Sequence, residues 1–117
     1  MTAENGAPEP RWLSTTEQHA WRNLVEAFEL LMRRLDQDLR ANFPIGMHEY
    51  ELLVRLSEQP GHTMRMAVLA DEVGMSRSRL THIVSRMEKR GLVSRCSIPE
   101  DGRGVNCTMT DDGYALL

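Results

Sequence analysis

The stretch that decides the fold is Met66-Ala67-Val68-Leu69-Ala70-Asp71-Glu72-Val73-Gly74-Met75-Ser76-Arg77-Ser78-Arg79-Leu80-Thr81-His82-Ile83-Val84-Ser85-Arg86-Met87. Met66, Leu69, Ala70 and Val73 recur at helical spacing and give one apolar face. Gly74 can take the left-handed conformation that stops a helix. Ser76 is a good N-cap for a second helix. Leu80, Ile83, Val84 and Met87 line one face of that second helix. Met75 and Leu80 fall where a hydrophobic staple fixes the entry angle. Two short helices joined this tightly, with Ala70 small and Gly74 at the bend, form a helix-turn-helix pattern.

The second helix is the one expected to enter DNA. Opposite its apolar face it carries Ser78, His82, Ser85 and Lys89, with Arg79 and Arg86 on the flanks. Arginine bonds guanine bidentately, while serine and histidine reach base edges or phosphates. From Ser76 to Arg95, six basic residues stand against the single acid Glu88, a net of +5. The candidate DNA contacts on this helix are Ser76, Arg77, Ser78, Arg79, Thr81, His82 and Arg86.

Bulk charge conceals this. The chain of 117 residues has a formal net charge of −3. Residues 1–61 carry −4 and residues 111–117 carry −2, whereas residues 62–110 carry +3. Nucleic-acid binding follows such a local field rather than the net charge.

Outward from the helix pair, Gly91 ends the second helix. Leu92 to Met109 then read as a hairpin with Pro99, Gly102 and Gly104 at its tip. Pairing Ile98 with Val105, Cys96 with Cys107 and Ser94 with Met109 puts most apolar residues on one side. It leaves Arg95, Ser97, Asn106 and Thr108 on the other. A hairpin beside a helix-turn-helix is a wing. Arg103 at its tip, next to Asp101, is placed for a minor groove or a phosphate.

Upstream, Ser14 and Glu17 form a capping box that opens a helix of about 25 residues. Its face is Trp21, Leu24, Val25, Phe28, Leu31, Leu35 and Leu39, and it ends near Asn42. A second helix runs from about Met47 to Ser57 on Leu52, Leu53 and Leu56. Pro60-Gly61 ends it, and an extended piece covers Thr63 to Arg65. Residues 1–12 read as a disordered tail and residues 13–61 as N-terminal helices for dimerisation and support. Residues 62–110 are the winged helix-turn-helix. In residues 111–117 Thr110 caps a helix that stops after about a turn and a half, too short to hold alone. These last residues read as the start of a truncated C-terminal helix. The fold class is therefore mainly α with a small β-wing: a winged helix-turn-helix with a long N-terminal helix.

These features resemble the MarR family of bacterial winged-helix transcriptional regulators. The resemblance runs from about Leu13 to Leu117. It is carried by Glu17-Gln18-His19-Ala20-Trp21-Arg22, Tyr50-Glu51-Leu52-Leu53-Val54-Arg55-Leu56, Leu69-Ala70-Asp71-Glu72-Val73 and Met87-Glu88-Lys89-Arg90-Gly91-Leu92-Val93. Its most specific part is the wing, Pro99-Glu100-Asp101-Gly102-Arg103, followed by Met109-Thr110-Asp111-Asp112-Gly113. The resemblance implies a homodimer on a near-palindromic site, with Arg103 as the wing arginine and Asp101 as the acid that positions it. It also implies a repressor, released by a small phenolic or anionic effector bound between the dimerisation helices and the DNA-binding part. The family builds its dimer from the first helix and two C-terminal helices, and this sequence has only the first and a stub of the next.

Other chemistries weigh less. Trp21, Phe28, His48 and Tyr50 are the candidate lining of an effector pocket, although such a stripe more often serves a core. Cys96 and Cys107, facing one another across the wing, would suit a redox switch, but two thiols on an apolar strand face are usually small hydrophobes. The four histidines lack the paired spacing of a zinc site, and neither a metal nor another cofactor is expected. No nucleophile triad, phosphate loop or carboxylate pair points to an enzyme. No apolar run reaches the roughly 20 residues a membrane span needs. Two cysteines without metal spacing and a polar start without a signal peptide fit the cytoplasm. The rival reading is a winged-helix module for protein interaction, an antagonist of a full-length relative acting through the first helix.

Overall fold

In a computed structural model, residues 6, 8–100 and 102–117 are described. They comprise α1 (Thr15–Asn42), α2 (Met47–Ser57), a 3-10 turn (Pro60–His62), β1 (Thr63–Arg65), α3 (Met66–Val73), α4 (Arg77–Lys89), β2 (Val93–Ser97), β3 (Val105–Met109) and α5 (Asp111–Ala115). Of the expected tail, residues 1–5 and 7 lie outside the described residues, and residues 8–12 form neither helix nor strand. The chain divides into two compact units, residues 1–35 and 36–117.

The first unit holds most of α1. Its start is capped as expected: Ser14 Oγ accepts from the Glu17 N–H at 3.2 Å, and the Ser14 N–H donates to Glu17 Oε1 at 3.0 Å. The apolar stripe of Trp21, Leu24, Phe28 and Leu31 is exposed. A stripe of this kind is normally buried against a partner.

The second unit contains the core. Leu52, Leu53 and Leu56 of α2 pack with Leu69 and Ala70 of α3, Leu80, Val84 and Met87 of α4, and Val93, Cys107 and Met109 of the sheet. Each large side chain buried there contributes about 1.5–3 kcal/mol. Gly74 caps α3 with φ 67°, the left-handed conformation its missing Cβ permits. Among the described residues, no helix is long and apolar enough to cross a membrane.

The sheet is antiparallel in the order β1-β3-β2. Its register corrects the expected one by a single residue. Val93 pairs with Met109, Arg95 with Cys107, Cys96 with Asn106 and Ser97 with Val105. A one-residue slip moves every side chain to the opposite face. Arg95 therefore stands beside buried Cys107, while Cys96 is exposed on the other side. An arginine at an inward position makes the alternation of β2 look shifted by one residue. The facing-thiol arrangement disappears with it. Burial also pushes the Cys107 thiol up to about 12, against a smaller opposing effect of Arg95. A thiol so raised is a poor nucleophile.

The strand β1 completes the sheet through Thr63–Thr108, Met64–Cys107 and Arg65–Asn106 pairs. At the other end of β3, Thr110 caps α5, its Oγ1 accepting from the Gly113 N–H at 3.1 Å. Gly113 is buried, and a Cβ there would lie 2.3 Å from the Leu92 carbonyl oxygen. Backbone cannot yield as a flexible side chain can.

Two outcomes test this packing. Gly113→Ala should cost about 1–3 kcal/mol in urea denaturation, as overpacking does; an unchanged midpoint would mean that α5 is not held against Leu92. Thiol titration of the native protein should find one fast group, Cys96, and a second that reacts only on unfolding. Two fast thiols, or a Cys96–Cys107 disulfide on mild oxidation, would restore the other register.

Candidate nucleic-acid interface

Helix α4 presents the candidate contacts because its other side is committed to the core. Leu80, Val84 and Met87 are buried, at 1% exposure or less, which turns Ser78, Thr81, His82 and Arg86 outward. Its first turn is secured by Ser76, whose Oγ accepts from the Arg79 N–H at 3.1 Å. The Ser76 O–H remains available as a donor.

The wing is fastened to α4 through one carboxylate. Glu88 Oε2 accepts from the Arg95 N–H at 2.8 Å, and Glu88 Oε1 lies 3.1 Å from Arg95 Nη2. Between α4 and the wing lies a cleft of about 410 Å³. Its floor is apolar, from Met66, Ala67, Leu80 and Val105, and Thr81 borders it. Around it stand four arginines: Arg65 at the end of β1, Arg77 at the start of α4, Arg95 on β2 and Arg103 near the wing tip. The Arg95 guanidinium is engaged by Glu88, and guanidinium groups so grouped still create a positive field that suits polyanions.

The expected residues thus divide. Arg77, Thr81 and Arg103 converge on this cleft. Ser78, His82 and Arg86 are exposed along α4 outside it. Arg79 turns toward α2, where its Nη2 lies 3.1 Å from His48 Nε2. Asp101 lies outside the described residues. Trp21 and Phe28 are exposed on α1 in the first unit, while His48 and Tyr50 occupy the first turn of α2 in the second.

Two residues of the cleft escaped the sequence reading. Arg65 reaches it because β1 pairs with β3, and no local pattern announces that pairing. The expected register places Arg95 on the polar side of the wing, whereas its pairing with Cys107 points it inward toward Glu88.

Against this geometry, the profile of the MarR family matches residues 45–105, from just before α2 to the first residue of β3. The chain belongs to the MarR family.

Solved structures of MarR-family transcriptional regulators share the fold. Sco3205 from Streptomyces coelicolor, solved in complex with DNA, is 44% identical, with a TM-score of 0.84, over 92% of this chain and 68% of that one. AbsC from the same organism is 43% identical, with a TM-score of 0.80, over 92% of this chain and 72% of that one. The transcriptional repressor MprA of Escherichia coli is 31% identical over 74 residues, 62% of this chain. That match spans 42% of MprA, well under half its length. The fold found here, mainly helical with a small three-stranded sheet, matches that of the two solved MarR-family structures.

The electrostatics of the MarR wing clamp have a definite sign. The Arg95 backbone N–H, and then its guanidinium, hold the Glu88 carboxyl below its ordinary 4.5, against a smaller opposing effect of burial. A group whose pKa is depressed on folding stabilises the fold above its unfolded value and loses that contribution as pH falls through the folded one. The stability difference between wild type and Glu88→Gln should therefore be constant above pH 4.5 and narrow below it. Urea denaturation across pH measures this; a difference unchanged down to about pH 3 would show that the carboxylate charge is not what holds the wing.

Proposed function

We propose that this MarR-family regulator reads double-stranded DNA in a sequence-specific manner, as a homodimer on a near-palindromic operator. The observation that carries this is the arginine-ringed cleft between α4 and the wing, beside the exposed face of the helix-turn-helix. Helix α4 would enter the major groove, with Ser78, Arg79, Thr81, His82 and Arg86 near base edges and backbone. Arg77 and Arg65 would meet phosphates, and Arg103 the minor groove or its backbone, positioned by Asp101. The DNA complex of Sco3205 supports the DNA reading, and the name of MprA supports repression. The protein would act in the cytoplasm, where bacterial DNA is, and without enzymatic chemistry.

The exposed stripe Trp21, Leu24, Phe28 and Leu31 supports association through α1. A second chain on that stripe would set two α4 helices about 34 Å apart, the repeat that two half-sites require. A small phenolic or anionic effector that disturbed that spacing would release the DNA. The same stripe favours a second reading, a protein-interaction module that captures a full-length relative and does not itself read DNA.

Selection from a random duplex library at about 150 mM salt separates the two. The proposal expects enrichment of inverted half-sites about one helical turn apart. Arg103→Ala should weaken binding on all sequences and lower the salt dependence by about one phosphate contact. His82→Ala should relax preference at a few base pairs, at about 1–3 kcal/mol each. No enrichment and no salt-dependent binding would hand the case to the protein-interaction module.

A further inference from the structure

We propose that His48, on the first turn of α2, is a positioning residue that holds the Arg79 guanidinium of α4 in place for DNA. The inference rests on the DNA reading above and adds to it a residue outside the recognition helix. Arg79 Nη2 and His48 Nε2 are 3.1 Å apart, from residues 31 positions apart in sequence. Both side chains are exposed, so neither is there to fill the core.

The two partners differ in how firmly they are held. His48 is presented by a turn whose main chain is tied on several sides. Asp36 Oδ1 accepts from the Met47 N–H at 2.8 Å. Glu49, buried, accepts from the Gly46 N–H at 3.3 Å and pairs with Arg90 Nη1 at 3.1 Å. Arg90 also donates to the Pro44 carbonyl oxygen. Arg79, by contrast, is a long side chain with many rotamers. Fastening one end of its guanidinium to a rigid turn removes freedom that DNA binding would otherwise have to remove. One N–H is used, and the rest of the fork remains for base or phosphate.

The bond has a required protonation state. Arginine has no acceptor, so His48 Nε2 must accept, with the ring neutral and its proton on Nδ1. An imidazolium would lose the acceptor and repel Arg79.

A double-mutant cycle on the full chain tests this, with the duplex sequence that the wild type prefers as probe. His48→Ala and Arg79→Ala should each weaken binding about 3–10-fold. The double variant should bind no more weakly than Arg79→Ala alone. Losses that multiply, or an Arg79→Ala without effect, would overturn the proposal. His48→Gln keeps an acceptor facing Arg79 and should recover most of the affinity that His48→Ala loses, and a His48→Gln as weak as His48→Ala would overturn the proposal too. A wild type that selects no sequence removes the DNA reading and this inference together. Multiplying losses in a selective wild type remove the inference alone.

Discussion

Glu88 grips the wing strand at two atoms of one residue, the Arg95 backbone N–H and its guanidinium. The placement of the wing depends on that grip. A two-stranded hairpin has little stability of its own, and its register is free to slip where both faces are polar. Here β2 has Val93 buried at its start and polar residues after it. The bond from Glu88 selects the register that brings Arg95 inward, and pairing with β3 then sets the rest. With the wing fixed against α4, Arg77, Arg95 and Arg103 surround one cleft instead of scattering over a hairpin. The carboxylate needed for this is the lone acid among the basic residues of the recognition segment.

A second constraint acts at the other side of α4. The first turn of α2 meets both ends of that helix: His48 contacts Arg79 in its first turn, and Glu49 pairs with Arg90 just past its last. The Glu49 carboxylate is nearly buried, and a buried charge without its partner is costly. Asp36 near the end of α1 holds the same turn, its carboxyl lowered by the Met47 N–H and by Arg40 against a contribution from burial. Helix α4 is thus set between a turn of α2 and the wing, each joined to it through charged hydrogen bonds.

The parts legible in the sequence were those set by local chemistry. Ser14 with Glu17, Ser76 and Thr110 cap helices because their hydroxyls reach an N–H two or three residues on. Gly74 ends α3 because it alone there tolerates a positive φ. The apolar spacing of Leu80, Val84 and Met87 gave the buried face of α4, and hence its exposed one. Arg77, Thr81 and Arg103 could be named from that face and from the wing tip, and they do share a cleft.

What the sequence determined by itself was the order of helices, the caps at Ser14, Gly74, Ser76 and Thr110, the helix-turn-helix and the local excess of positive charge. Each depends on residues within a turn or two of one another. Tertiary structure decided the wing register, the arrival of Arg65 through β1, the opposite fates of Cys96 and Cys107, and the turning of Arg79 to His48. The reason is that strand pairing and side-chain contacts between helices are settled by packing over long sequence separations. A period-two pattern in a strand says which residues share a face, but it takes a partner such as Glu88 to say which face is inside.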